Sequence, residues 1–161
     1  MENELKKDIV FIDNTLKILN QYNEFVGELE QSYARSLFIN LCVGLLVIPR
    51  SLEREYSFLP TEVINKKEWG ICKEDISINK DGDYSVRRIF THLRNSVMHN
   101  RFNYDTELMV SVPIKEMTFH DKWRDTDEEY NFCTTLKFED FINFVLKTTK
   151  IVLEKMKGYK L

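Results

Sequence analysis

Apolar residues recur at steps of three or four from about Glu2 to Leu29, and this spacing constrains the fold more than any other feature. It places the apolar side chains on one face of a long amphipathic helix. The same spacing from about Phe138 to Met156 predicts a final helix. The 161 residues include only five glycines and three prolines, whereas sandwiches and barrels need many turn residues. The sequence therefore predicts a mainly α fold.

A second helix is predicted from about Ser32 to Ile48, because residues 37–48 are apolar almost all round. A membrane span needs about 20 apolar residues, so this shorter run indicates a helix buried on several sides and no membrane partner. Gly44 lies within the run and disfavours a helix, which predicts the close approach of another backbone at that position.

The middle of the chain is more mixed. Residues 50–83 predict mostly loop with a short helix or two, followed by a third helix over Ser85–Arg101. Three later segments favour extended structure, and an acidic loop at Asp125–Glu129 lies between the last two of them, which predicts a small antiparallel hairpin. These segments are Leu108–Val112, Lys115–Phe119 and Tyr130–Leu136. The length predicts a single domain over residues 1–161.

Charge is distributed unevenly along the chain. The net charge is −3, so a nucleic acid would have to bind through a local basic patch. The third helix supplies one, because residues 85–101 contain no acid and four arginines, and the rest of the chain is left with 19 basic and 26 acidic residues. We call this segment the basic island, and its positive potential attracts phosphates at short range. The arginines are Arg87, Arg88, Arg94 and Arg101.

A helical wheel separates the polar residues of this third helix into two stripes. His92, Asn95 and His99 share one arc, and Arg87 and Arg94 lie on another. The pattern is typical of a helix that faces a cleft or a second subunit. A solvated arginine face is the alternative, and His99 also suits the negative end of the helix dipole.

Residues Leu93 to Phe102 resemble the signature of HEPN domains (higher eukaryotes and prokaryotes nucleotide-binding). That signature is an arginine, usually followed by a polar residue, and a histidine four to six positions later. Arg94, Asn95 and His99 match it, and the buried helix that ends at Pro49 is similar to that of stand-alone bacterial members. The resemblance implies a HEPN-like helical bundle of four to five helices with a small antiparallel β-hairpin before the last helix.

The resemblance also implies an activity, since many HEPN proteins are metal-independent ribonucleases that act as homodimers. Histidine can transfer protons near neutral pH, and arginine offers paired donors to phosphate oxygens. His99 is therefore assigned as general acid or base, Arg94 as transition-state clamp and Asn95 as the orienting residue. An ideal helix places Arg94 and His99 about 140° apart, so two facing copies would be needed to complete one site.

Four further residues are predicted to hold the RNA backbone, namely Arg101, His92, Arg87 and Arg88. No cofactor or metal is expected, because His92 and His99 are about 10 Å apart along a helix, too far to share an ion. The unpaired cysteine pattern favours a cytoplasmic protein.

Two other functions stay open at this point. A non-catalytic HEPN-like module could bind nucleotide, RNA or a protein through the same helix. A purely structural subunit would instead pair its basic island with acids such as those near Asp125. The resemblance implies a setting in toxin–antitoxin or antiphage-defence systems, with an antitoxin or defence protein as a further partner.

Overall fold

A computed structural model describes residues 2–25, 40, 43–46, 56–104, 115–124 and 126–158. Helix α1 spans Glu2–Phe25, α2 Lys66–Trp69, α3 Val86–Met98 and α4 Phe138–Gly158, and residues 43–46 are also helical. Short 3-10 turns lie at Tyr56–Phe58 and Lys73–Asp75. The strands are β1 (Ile76–Ile78), β2 (Phe102–Tyr104), β3 (Glu116–Asp121) and β4 (Phe132–Lys137).

The four strands form one antiparallel sheet in the order β1-β4-β3-β2. The predicted hairpin is confirmed as β3 and β4, whose register pairs Phe119 with Thr134. Each outer strand has only three residues, and β1 comes from the segment that was predicted to be mostly loop. Leu108–Val112, predicted to be extended, lies outside the described residues.

The prediction of a mainly α bundle of four to five helices is therefore wrong. The protein combines a four-stranded sheet with helices, and only α1, α3 and α4 exceed one turn among the elements of the described residues. The error has a physical cause. A three-residue strand has no detectable alternation, and β1 is stabilised by pairing with β4, which lies more than 50 residues later in the chain.

Helix α3 lies against β3 through an apolar face. Ser85 caps its first turn by accepting a hydrogen bond from the Arg88 amide. The helix is shorter than predicted, because His99 caps its end and Asn100 turns the chain with φ 53° into β2. The buried residues that fix its orientation are Val86, Ile89, Phe90 and Leu93.

Helices α1 and α4 pack against each other, and the predicted stripe of α4 is confirmed at its buried positions Phe141, Val145, Val152 and Met156. A Cβ placed on Gly44 would lie 3.4 Å from the ring of Phe11 on α1. This is an ordinary van der Waals distance to an aromatic ring, so the predicted close approach of another backbone at Gly44 is not seen among the described residues. No helix in the described ranges is both long and apolar enough to cross a membrane.

One carboxylate connects α1 with α4. Asp13 accepts hydrogen bonds from Lys17 at 2.8 Å and from Lys157 of α4 at 2.9 Å, and these lower the pKa of Asp13 from 3.8 to about 2. A lowered carboxyl pKa stabilises the folded state above the unfolded pKa, and that stabilisation disappears as the pH falls through the folded pKa.

Asp13→Asn should therefore melt at a lower temperature than the wild type at pH 7, with the difference shrinking between about pH 4 and pH 2. Thermal melts at low salt across this pH range would measure it. Glu154→Gln, which changes an exposed acid of α4, is the control and should melt as the wild type does. A difference that persists undiminished at pH 2 would contradict the assignment.

Candidate functional site

The polar face of α3 is directed at the end of β3. Arg88, His92, Asn95 and His99 follow each other at steps of four, three and four along the helix, so they lie on one face. The apolar face of α3 packs on the sheet and fixes this orientation. The residue of β3 that meets the polar face is Asp121, which is only 3% exposed.

Asp121 connects three of the predicted site residues. Its Oδ2 accepts hydrogen bonds from His92 Nδ1 at 2.8 Å and from Asn95 Nδ2 at 3.2 Å. Its Oδ1 accepts from the Lys122 amide at 2.9 Å and lies 3.6 Å from Arg101 Nη1. A buried carboxylate is stable only when donors and cations surround it in this way. Asp121 is therefore the centre of a hydrogen-bond network beneath the candidate site.

His92 is an interior residue, with an exposed fraction of 2%. Its ring stacks on Phe132 with centroids 4.6 Å apart, and its Nε2 lies 3.9 Å from Asp81 Oδ2. The predicted contact of His92 with an RNA backbone stays a prediction, and in this structure its side chain is almost entirely buried.

Arg94 is oriented through its neighbour. Its Nη1 donates to Asn95 Oδ1 at 3.3 Å, while the other end of the Asn95 amide donates to Asp121. Asn95 thus uses both of its polar groups to link Arg94 to the buried carboxylate. Through Asn95, Arg94 is linked by hydrogen bonds to Asp121 of β3, which lies 26 residues after Asn95 in the sequence.

His99 is exposed at the end of α3, where its amide donates to the Asn95 carbonyl at 2.9 Å. The tight turn after it is closed by a hydrogen bond from the Arg101 amide to the Ser96 carbonyl at 2.7 Å. This turn directs the Arg101 side chain back toward Asp121. The structure therefore gathers Arg94, Asn95, His99 and Arg101 at one end of α3.

Arg87 and Arg88 lie at the other end of the helix. Arg87 donates to the carbonyls of Ser57 at 2.7 Å and Leu59 at 3.0 Å, which ties the preceding loop to α3. Arg88 pairs with Asp81, its Nε donating to Oδ2 at 2.6 Å. Asp81 and Asp121 thus partly neutralise the positive charge of the basic island. The structural alternative considered from the sequence had paired these arginines with acids near Asp125, a residue outside the described ranges.

Neither Asp81 nor Asp121 was identified from the sequence. One signal for Asp121 was available, because it alternates with Met117 and Phe119, the two buried apolar residues of β3. A carboxylate that shares the buried face of a strand with core residues costs much free energy to bury unless other groups pair with it. Among the described residues, no group of three or more His, Cys, Asp or Glu side chains could hold a metal ion.

A comparison with protein families gives one match. The model of the family described as HEPN pEK499 p136 matches residues 1–159, which is almost the whole chain. Searches of curated proteins and of solved structures give no match. The matched region includes α3, the Arg94–His99 segment and all four strands.

Proposed function

Because the chain belongs to the HEPN pEK499 p136 family, we propose that it is a metal-independent endoribonuclease that acts as a homodimer. The observation that carries this proposal is the hydrogen-bond chain from Arg94 through Asn95 to Asp121, with His99 exposed at the same helix end. Phosphoryl transfer requires a cation that is held in place and an accessible proton carrier, which two facing copies would bring together.

The reaction would begin with attack of an RNA 2′-hydroxyl on the adjacent phosphorus. The O2′–P bond forms, the P–O5′ bond breaks, and the products are a 2′,3′-cyclic phosphate and a 5′-hydroxyl. His99 takes the proton of the 2′-hydroxyl or supplies one to the leaving O5′, and the second proton transfer falls to the other copy. Arg94 donates to the phosphate oxygens while negative charge accumulates on them.

The need for two copies follows from helix geometry. Arg94 and His99 are five positions apart, which separates them by about 140° around an ideal helix. Two facing α3 helices would bring both residues of each copy to a shared groove, with Arg101 holding the RNA backbone. We place the protein in the cytoplasm, acting as a toxin or antiphage-defence effector under the control of a partner protein.

A second candidate is a non-catalytic HEPN module that binds RNA or another partner. The observation in its favour is the internal pairing of two predicted RNA contacts, since Arg88 bonds Asp81 and Arg101 lies near Asp121. Such pairing weakens the local positive potential, as expected for a protein that recognises a specific partner and does not hold RNA by charge alone.

An RNA cleavage assay in excess EDTA distinguishes the two. We expect transfer RNA or a mixed single strand to be cut to 2′,3′-cyclic phosphate ends, with activity lost in both His99→Ala and Arg94→Ala. Analytical ultracentrifugation should show a dimer for all three proteins. A well-folded dimer that cuts none of these RNAs would refute the nuclease, and cleavage that survives His99→Ala would refute this site.

A further inference from the structure

Trp123 is the largest of the exposed apolar side chains that the structure describes, and 48% of it is exposed. It lies two residues after Asp121, the last residue of β3. The guanidinium carbon of Arg88 lies over its ring, 5.6 Å from the centroid. One face of the indole therefore has a cation against it, and the exposure must come from the opposite face and the edges.

The surroundings of Trp123 are fixed by hydrogen bonds. Arg88 is anchored by its pairing with Asp81. Both sequence neighbours of Trp123 bond to Asp127: the Arg124 amide donates to its Oδ2 at 3.1 Å, and Lys122 Nζ donates to its carbonyl at 2.6 Å. Preorganisation of this kind reduces the entropy cost of binding a ligand.

Two further cationic residues are neighbours of Trp123 in the sequence. Lys122 and Arg124 flank Trp123 in sequence, and the carboxylate of Asp127 is already paired with Lys80 at 3.0 Å. Tyr130 is exposed too, but the ring of His120 stacks on it at 4.4 Å and Lys122 lies 5.7 Å from its centroid. Of these two exposed rings in the described part of the chain, Trp123 is therefore the better placed to receive a ligand.

The position of Trp123 relates it to the candidate site. Arg88, which touches its ring, lies on the same face of α3 as His99, 11 residues and about 16 Å away along the helix axis. A single strand with stacked bases advances about 3.4 Å per nucleotide, so roughly five nucleotides cover this distance. An RNA strand that passes outside the buried His92 would therefore reach both places at once.

We propose that Trp123 is a stacking platform for an unpaired base of an RNA strand whose cleaved phosphate lies at Arg94 and His99. This inference rests on the proposed function for the identity of the ligand. An indole face with adjacent cations suits a nucleobase and its phosphate, and duplex bases have their faces already covered. Tryptophan and arginine are also enriched at protein interfaces, so a protein partner is an alternative that the binding test addresses.

Intrinsic fluorescence tests this directly, since the chain has two tryptophans in opposite environments. Trp69 is 2% exposed, so a stacking base can quench only Trp123. The probe is a short mixed-sequence 2′-deoxy strand, which lacks the attacking hydroxyl and cannot be cut by this mechanism. We expect saturable quenching by the single strand, little by the same sequence as a duplex, and none in Trp123→Phe.

Binding of the same probe to Trp123→Ala, followed by fluorescence anisotropy, should be weaker by about 5- to 150-fold, the range for loss of one stacked base. Val10→Ala, which shortens an exposed side chain of α1, should bind as the wild type does. The variant His99→Ala should still be quenched, so a failure of cleavage leaves this inference standing.

Three results would overturn the inference. They are an absence of quenching in the wild type, equal quenching by single strand and duplex, and unchanged affinity in Trp123→Ala. A loss of the dimer in Trp123→Ala with unchanged affinity for the strand would assign this surface to a second copy of the chain.

Discussion

His99→Asn is expected to lower the rate of RNA cleavage by about 10²- to 10⁴-fold, the usual contribution of a positioned proton carrier. Asparagine retains a polar side chain but cannot transfer a proton near neutral pH. His99 is exposed at the end of α3, so the free energy of unfolding should change by no more than about 0.5 kcal/mol. Single-turnover cleavage in EDTA and urea denaturation would measure the two quantities.

His120→Asn is the matched control for this variant. It removes a histidine of β3 that lies outside the Arg94–His99 segment, so the same chemical change should leave cleavage within a few-fold of the wild type. A His99→Asn protein that is folded, dimeric and fully active would show that another group transfers the proton. Equal losses in both variants would show that the effect is not specific to the motif histidine.

Asp121→Asn is expected to affect both stability and cleavage. The carboxylate accepts from His92 and Asn95 on one oxygen and from the Lys122 amide on the other. A side-chain amide has a single acceptor oxygen, so in either of its orientations the variant would place an NH₂ group against a donor. Hydrogen bonds to charged groups contribute about 1.5–3 kcal/mol each, so we expect a loss of about 2–4 kcal/mol in unfolding free energy.

The loss of activity in Asp121→Asn should exceed what unfolding explains. Without the carboxylate, Asn95 no longer holds Arg94 in place, so kcat for the folded fraction should fall by more than about tenfold while KM changes little. Asp127→Asn is the control, because it alters a carboxylate of the β3–β4 loop that contacts no motif residue in the described part of the chain. Full activity in folded Asp121→Asn would reduce Asp121 to a structural residue.

The helices could be predicted because their signal is local. Apolar spacing identified α1, α3 and α4, and the buried stripe of α4 follows the predicted positions Phe141 and Val145. The sheet could be predicted only in part. The hairpin of β3 and β4 has alternating residues of sufficient length, whereas β1 and β2 have three residues each and depend on partners elsewhere in the chain.

The candidate site divides in the same way. Arg94, Asn95 and His99 form a linear motif on one helix, so their identity and spacing are visible without a fold. The linear motif does not indicate Asp81 or Asp121, because neither residue lies at a fixed spacing from it in the sequence. The roles of the other basic residues also depended on packing, since Arg87 binds main-chain carbonyls and His92 is buried beside Phe132.

The sequence by itself determined the amphipathic helices, the basic island in an acidic chain and the Arg94–His99 motif, because each of these is a property of neighbouring residues. Only the tertiary structure decided that a four-stranded sheet carries α3, and that Asp121 joins His92, Asn95 and Arg101. A buried carboxylate requires donors from separate elements, and only folding brings those donors within hydrogen-bond distance.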